Sequence, residues 1–313
     1  MGKVDPRARL APVARAQRGP FTYQQARDAG FSKSAIGRRI DSGTWLSLHR
    51  GVMCDSAVPA SPARAVSAAV LACGPTAAAC LRSAAQLWKI DVPSTDDPDV
   101  VVLGSARRRP AGVIVHRTTR LGRSEAAPSD GIRVTSPMRT LLDLGAILEL
   151  RPLELALDRF WRRGLIAPRR LALYLADEWC TRKRGSAVLR KLAAERCGQG
   201  PSGSDIETLL LQLIREANLP LPVRQHPVVT PFGVRYLDLA YVRERVAIEL
   251  DGMDSRLDPS VFLDDRARQN LIEAQGWTFR RFGHAHVTTN GVWAVFTLGE
   301  ALGLRPIRWT GRG

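Results

Sequence analysis

Val234-Arg235-Tyr236-Leu237-Asp238-Leu239-Ala240-Tyr241, followed by Val246-Ala247-Ile248-Glu249-Leu250-Asp251-Gly252, decides how the C-terminal third of the chain is read. Both runs are short and rich in β-branched and aromatic residues, with the charged pair Arg243-Glu244 between them, as in a β-hairpin. With that pair as the loop, facing positions sum to 487 and Asp238 stands opposite Glu249. Side chains alternate along a strand, so Glu249 and Asp251 share one face while Ile248 and Leu250 point inward. Like charges facing each other destabilise a ladder, so the pattern asks for a compensating charge, and a divalent cation is the first candidate. The alternative is an open sheet face whose acids are simply solvated.

Upstream, Ser204-Asp205-Ile206-Glu207 opens an amphipathic helix with Ile206, Leu209, Leu210, Leu213, Ile214 and Ala217 at helical spacing. Ser204 with Glu207 three places on is a capping box, and Glu207 also lies at the border of the apolar stripe. Downstream, Asp264 to Ala274 reads as a helix stopped by Gly276, followed by a strand from Trp277 to Phe282. Arg266 and Gln269 on that helix are candidate phosphate contacts, although a solvated charged face explains them equally simply.

The order of these parts over about residues 204 to 290 resembles the very-short-patch-repair-like branch of the PD-(D/E)XK nucleases. The matching features are Glu207 on a helix, Asp238 and Glu249-x-Asp251-Gly252 on the hairpin, Asp265-Arg266-x-Arg268, and Gly276-Trp277 before a final strand. The resemblance implies a restriction-endonuclease-like α/β domain with a central mixed sheet. It further implies Mg²⁺ (or Mn²⁺) held by Asp238 and Glu249, with Glu207 and Asp251 as the other catalytic carboxylates. Such a metal activates water and neutralises the phosphate under attack. Two departures stand out. The superfamily lysine is replaced by Asp251, and Met253-Asp254-Ser255-Arg256 offers no histidine after the Asp-Gly step. Residues 204 to 313 contain no lysine, which leaves Arg266, Gln269, His284 or His286 to supply a cation or general base.

A chain of 313 residues has room for two or three domains. It carries no apolar run of membrane-spanning length and begins without a signal-peptide pattern. Five scattered cysteines without Cys-x-x-Cys pairs argue against zinc and disulfides, and fit a cytoplasmic protein. The net charge is +16, and it is unevenly spread: residues 1 to 203 hold 33 basic and 17 acidic side chains, while the rest sums to zero. Such a basic half draws polyanions, and double-stranded DNA is the expected partner rather than a membrane.

Residues 1 to 60 supply a reader for it. Arg7 to Arg18 suits a first helix, Thr22 caps a short second one, and Ser32 caps a third from Lys33 to Asp41. Thr44 to Leu48 and Arg50 to Met53 then form a small β-wing. This is the order of a winged helix-turn-helix, whose last helix enters the major groove. Lys33, Arg38, Arg39 and Arg50 are its candidate phosphate contacts. Phe21-Thr22, Ala26, Gly30 to Ile36, Gly43-Thr44-Trp45 and His49-Arg50-Gly51-Val52 resemble the AbiEi antitoxins of type IV toxin–antitoxin systems. Arg82-Ser83-Ala84-Ala85 and Ser136-Pro137-Met138-Arg139-Thr140-Leu141-Leu142-Asp143 resemble the second domain of the same antitoxins. The resemblance admits a cognate toxin as partner. Arg139 and Asp143, four apart on a helix, read as a helical ion pair, and Arg107 to Arg109 as a solvated turn open to phosphate.

The expected organisation is α+β: a winged helix-turn-helix over 1–60, a mixed α/β middle domain over 61–197, a flexible linker over 198–203 and the nuclease-like domain over 204–313. The expected function is that of a DNA-targeted, Mg²⁺-dependent endonuclease. The alternative is an antitoxin-like DNA-binding regulator whose nuclease-like domain is inactive.

Overall fold

The Asp5 carboxylate accepts the Arg7 backbone N–H at 3.0 Å and starts helix α1 (Pro6–Ala16). The computed structural model describes residues 5–104, 109–197, 203–251 and 269–304. Strand β1 (Phe21–Thr22) follows, then α2 (Tyr23–Asp28), where Thr22 and Gln25 exchange backbone-to-side-chain bonds of 3.1 and 2.8 Å in a complete capping box. Ser32 caps α3 (Lys33–Asp41) through the Ala35 N–H at 3.1 Å. Strands β2 (Trp45–His49) and β3 (Val52–Asp55) form an antiparallel hairpin, and β1 pairs with β3 in the order β1-β3-β2. Gly51 sits in the hairpin turn at φ +78°, where an L side chain is strained. Phe21 and Phe31 meet Trp45 edge-on, at ring centroids 4.8 and 5.0 Å apart, over a core that includes Leu10, Ala26, Ile36 and Met53.

Helix α4 (Pro62–Cys73), strand β4 (Ala78–Ala79), helix α5 (Leu81–Leu87) and strands β5 (Asp99–Leu103), β6 (Ile114–Thr118), β7 (Ala126–Ser129) and β8 (Ile132–Thr135) come next. They build a mixed five-stranded sheet in the order β6-β5-β4-β8-β7, with β5 and β6 parallel. Helix α6 (Pro137–Leu144) carries Arg139, which is far more than one end of a helical ion pair. Its guanidinium donates to Asp143 at 2.9 and 3.0 Å, to Glu125 at 3.1 Å, to the Arg120 carbonyl at 2.9 Å and to Thr118 at 3.2 Å, and it is only 2% exposed. Burial pushes the Asp143 carboxyl above its ordinary range despite the arginine beside it.

Helices α7 (Leu150–Arg162), α8 (Pro168–Leu175), α9 (Glu178–Thr181) and α10 (Ser186–Arg196) follow, then α11 (Asp205–Glu216). The last part is a mixed four-stranded sheet of β9 (Val223–Thr230), β10 (Gly233–Tyr241), β11 (Val246–Asp251) and β12 (Thr278–Gly283), ordered β12-β11-β10-β9. Helices α12 (His284–Thr288) and α13 (Gly291–Ala301) close the described chain. One core joins Ile206, Leu210 and Ile214 of α11 to Leu239, Ile248, Phe282 and Leu298.

Two compact units divide the chain, Met1–Pro152 with Leu173–Arg190, and Leu153–Ala172 with Lys191–Gly313. The second unit therefore takes in residues 153–172 and 191–196, which the sequence assigns to a middle domain ending at 197. Buried side chains explain the difference. Asp158 accepts from Arg196 at 2.7 Å and from Thr208 at 2.9 Å, and Glu154 accepts from Gln212 and Arg215, each at 2.7 Å. Of the expected linker 198–203, all but Gly203 lies outside the described residues.

Replacing Arg139 by methionine leaves the half-buried Asp143 without its ion-pair partner and the buried Glu125 with Arg120 alone. Such a loss costs about 3–5 kcal/mol. Urea unfolding followed by circular dichroism should show that drop, and a loss below about 1 kcal/mol, the range of exposed pairs, would contradict the network's role.

Candidate functional site

The hairpin that organises the C-terminal sheet has the expected register. Leu239 faces Ile248, Ala240 faces Ala247 and Tyr241 faces Val246, so each pair sums to 487, although the loop spans four residues, 242–245, rather than two. The loop is longer because Arg245 adopts φ +53° and is closed over the Gln275 carbonyl. Beyond Leu239 the carboxylates diverge in role. Asp238 Oδ2 accepts the Leu250 N–H at 3.2 Å, so the side chain caps the backbone of β11. On its other side, Gln225 of β9 stands at φ +48°, and the β9–β10 pairing skips Asp238.

Glu207 and Glu249 each have an arginine. Glu207, 2% exposed, accepts the Gly203 N–H at 2.7 Å through Oε2 and Arg224 Nε at 2.9 Å through Oε1. Ser204 caps α11 as expected, its hydroxyl accepting the Glu207 N–H at 3.3 Å, but the Glu207 carboxylate turns to Gly203 and Arg224. Burial raises its pKa, the Gly203 N–H and Arg224 oppose that rise, and the negative charge of Asp238 adds to it. Glu249 is bound by Arg281 at 3.1 Å, and Arg281 also donates to Gln269 at 2.8 Å. The parallel pairing of β11 with β12 sets Arg281 directly beside Glu249.

Arg224 and Arg281 are the residues that the sequence reading missed. Each sits on a strand whose neighbour is known only once the sheet is assembled. Among the described residues, arginine is the counter-charge of Glu207 and Glu249, while Asp238 is held by the Leu250 N–H. Both oxygens of Glu207 are engaged, Asp238 and Glu249 are each bonded as well, and no group of three His, Cys, Asp or Glu side chains among the described residues is arranged to hold a metal. No hydrolytic step is derived from these carboxylates. Gln269 donates to Glu273 at 2.6 Å, so it too is tied into the protein. His286 packs on Trp293 at 4.8 Å and accepts the Gly283 N–H, while His284 lies against Thr288. Arg266 and residues 253–256 lie outside the described residues, as does the side chain of Asp251.

The basic helix offers a different surface. Ile36 is buried and Ile40 half-buried, so α3 leaves Lys33, Ser34, Arg38 and Asp41 exposed along its opposite side. Gly37 lies on that same side, and a Cβ built there would meet nothing within 4 Å. Internal packing therefore gives no reason for a glycine that costs about 1 kcal/mol of helix stability relative to alanine. Arg50 is exposed in the turn between β2 and β3. Arg39 behaves differently from Lys33 and Arg38. Its guanidinium lies over the rings of Phe31 and Trp45, 5.0 and 5.5 Å from their centroids, so it closes the aromatic core.

With this geometry in place, comparison with known proteins is informative. Residues 8–52 match the family model described as a transcriptional regulator, AbiEi antitoxin, and residues 77–185 match the AbiEi antitoxin C-terminal domain. The chain is 28% identical over 207 residues to the uncharacterized protein Rv2248 of Mycobacterium tuberculosis H37Rv, covering 66% of this chain and 73% of that one. The uncharacterized protein MT2308 of strain CDC 1551 matches to the same extent. A 67-residue stretch is 42% identical to the uncharacterized protein YcjD of Escherichia coli, covering 21% of this chain and 51% of YcjD. Among the described residues, no helix is long and apolar enough to cross a membrane.

The two arginine pairs should differ in weight. Arg224→Met strands Glu207 in the interior and should destabilise the C-terminal unit by about 3–5 kcal/mol. Arg281→Met breaks a pair with 38% and 19% of its two side chains exposed, and should cost about 1 kcal/mol or less. Chemical denaturation of both variants checks the order, which a larger loss for Arg281→Met would reverse.

Proposed function

We propose that the protein is a DNA-binding transcriptional regulator of the AbiEi antitoxin kind. The observation that carries this reading is the match of residues 8–52 to the regulator model, on a segment whose third helix turns a basic side outward. In this reading α1 to α3 with strands β1 to β3 form a winged helix-turn-helix. Helix α3 enters the major groove, Lys33 and Arg38 meet phosphates, and Arg50 of the wing contacts the flanking backbone. The +16 charge of the chain, all of it before Ser204, supplies the sequence-independent attraction. The matched second segment makes a cognate toxin a further partner. In this reading the C-terminal unit, whose order of parts resembles a nuclease, does not cleave, and the arginines beside Glu207 and Glu249 support that reading.

Gly37 belongs to the same reading, as the point where α3 comes closest to the duplex. Gly37→Ala should raise the stability of the fold by about 1 kcal/mol and still weaken DNA binding, a pairing of opposite effects. Melting curves together with fluorescence anisotropy check it, and a variant both more stable and equally tight would rule out close approach at this residue. Incubation of supercoiled plasmid with Mg²⁺ or Mn²⁺ should give no nicking above that of the Asp238→Ala variant. Cleavage by the wild type that Asp238→Ala abolishes would restore the endonuclease reading.

A further inference from the structure

In the N-terminal unit a cleft of about 980 Å³ opens beside the wing. Leu48, His49 and Arg50 of the hairpin line one part, Thr22 to Gln24 another, and Arg109, Pro110 and Ala111, the residues leading into β6, a third. Arg50 and Arg109 are both exposed, and no Asp or Glu is among the described residues lining the cleft. A second cleft, between α4, α5 and the segment before β5, is different in kind. Asp91, Asp96 and Asp97 line it together with Arg82 and Lys89, so its charges cancel. The wing cleft, by contrast, combines exposed arginines with apolar walls, here Leu48, Val52, Leu71 and Pro110. Walls of low dielectric concentrate the field of such cations and strengthen their hold on an anion.

We propose that this cleft is a second phosphate seat for the duplex, in which Arg109 of the sheet domain grips the DNA backbone alongside Arg50 of the wing. The inference rests on the DNA-binding reading above and extends it. The regulator then reads DNA with two folded parts, and the sheet domain sets how much duplex flanking the major-groove contact is needed. DNA is the occupant because the cations line up with a wing that belongs to the reading module. Arg109 makes no hydrogen bond that the fold requires among the described residues, so its loss leaves the protein folded.

The test uses the full chain, a fluorescein-labelled mixed-sequence duplex and a salt series. Four variants are compared with the wild type: Lys33→Ala, Arg109→Ala, Arg109→Lys and Arg169→Ala, the last an exposed arginine of α8 that does not line the cleft. Losing one phosphate contact lowers affinity by about threefold to tenfold and flattens the slope of log K against log salt by about one. Arg109→Ala should show both effects, Arg109→Lys should recover most of the slope, and Arg169→Ala should match the wild type. Wild-type binding weakened by Lys33→Ala and unchanged by Arg109→Ala would overturn the second seat and leave the regulator reading intact. An equal loss in Arg109→Ala and Arg169→Ala would also overturn it, since any surface arginine would then do the same. Absence of DNA binding by the wild type would overturn both.

Discussion

Burying a carboxylate is costly unless a cation and hydrogen bonds accompany it, and this chain meets that constraint with arginine in both units. Arg139 neutralises Glu125 and Asp143 beneath the five-stranded sheet. Arg196 joins Asp158 to Glu154, and Arg215 completes the second acid. Arg224 takes the same part for Glu207. Arginine suits the task because its planar fork serves several acceptors at once and does not lose its proton in proteins. The rest of the architecture follows. Acids on helices anchor elements distant in sequence, and the surplus arginines and lysines remain on the surface of the N-terminal half.

The same constraint decides between two readings of one acidic cluster. Facing carboxylates on a hairpin are the raw material of a metal site, and arginines beside carboxylates are the raw material of a structural ion pair. What the described residues supply is a set of fixed organic cations. A guanidinium balances charge as magnesium would, but it does not lower the pKa of a bound water or leave coordination sites open for substrate. The function is then sought where the charge is not balanced, on α3, the wing and the cleft beside it.

Much of the fold could be read from the sequence. Thr22, Ser32 and Ser204 each cap the helix assigned to them, because a cap is a local hydrogen bond between residues three apart. The register of the β10–β11 hairpin was legible too, since alternation and a short loop fix it. Less legible were partners joined only by topology. Arg281 reaches Glu249 because β11 and β12 run parallel, and no spacing rule links positions 249 and 281. Glu154 and Asp158 lie one turn apart on α7, yet their burial depends on Arg196 and α11. That is why a boundary drawn at a Gly-rich stretch differs from the compact units. Arg39 looked like its basic neighbours, and only the packing of Phe31 against Trp45 shows that it belongs to the core.

We propose that arginine, rather than a divalent ion, is the counter-charge of Glu207 and Glu249. Calorimetric titration of Mn²⁺ into the full chain, compared with Asp238→Ala and Glu249→Gln, tests it most directly. The account predicts identical isotherms for all three proteins, with no site that depends on either carboxylate. A stoichiometric Mn²⁺ site in the wild type that both substitutions remove would contradict it.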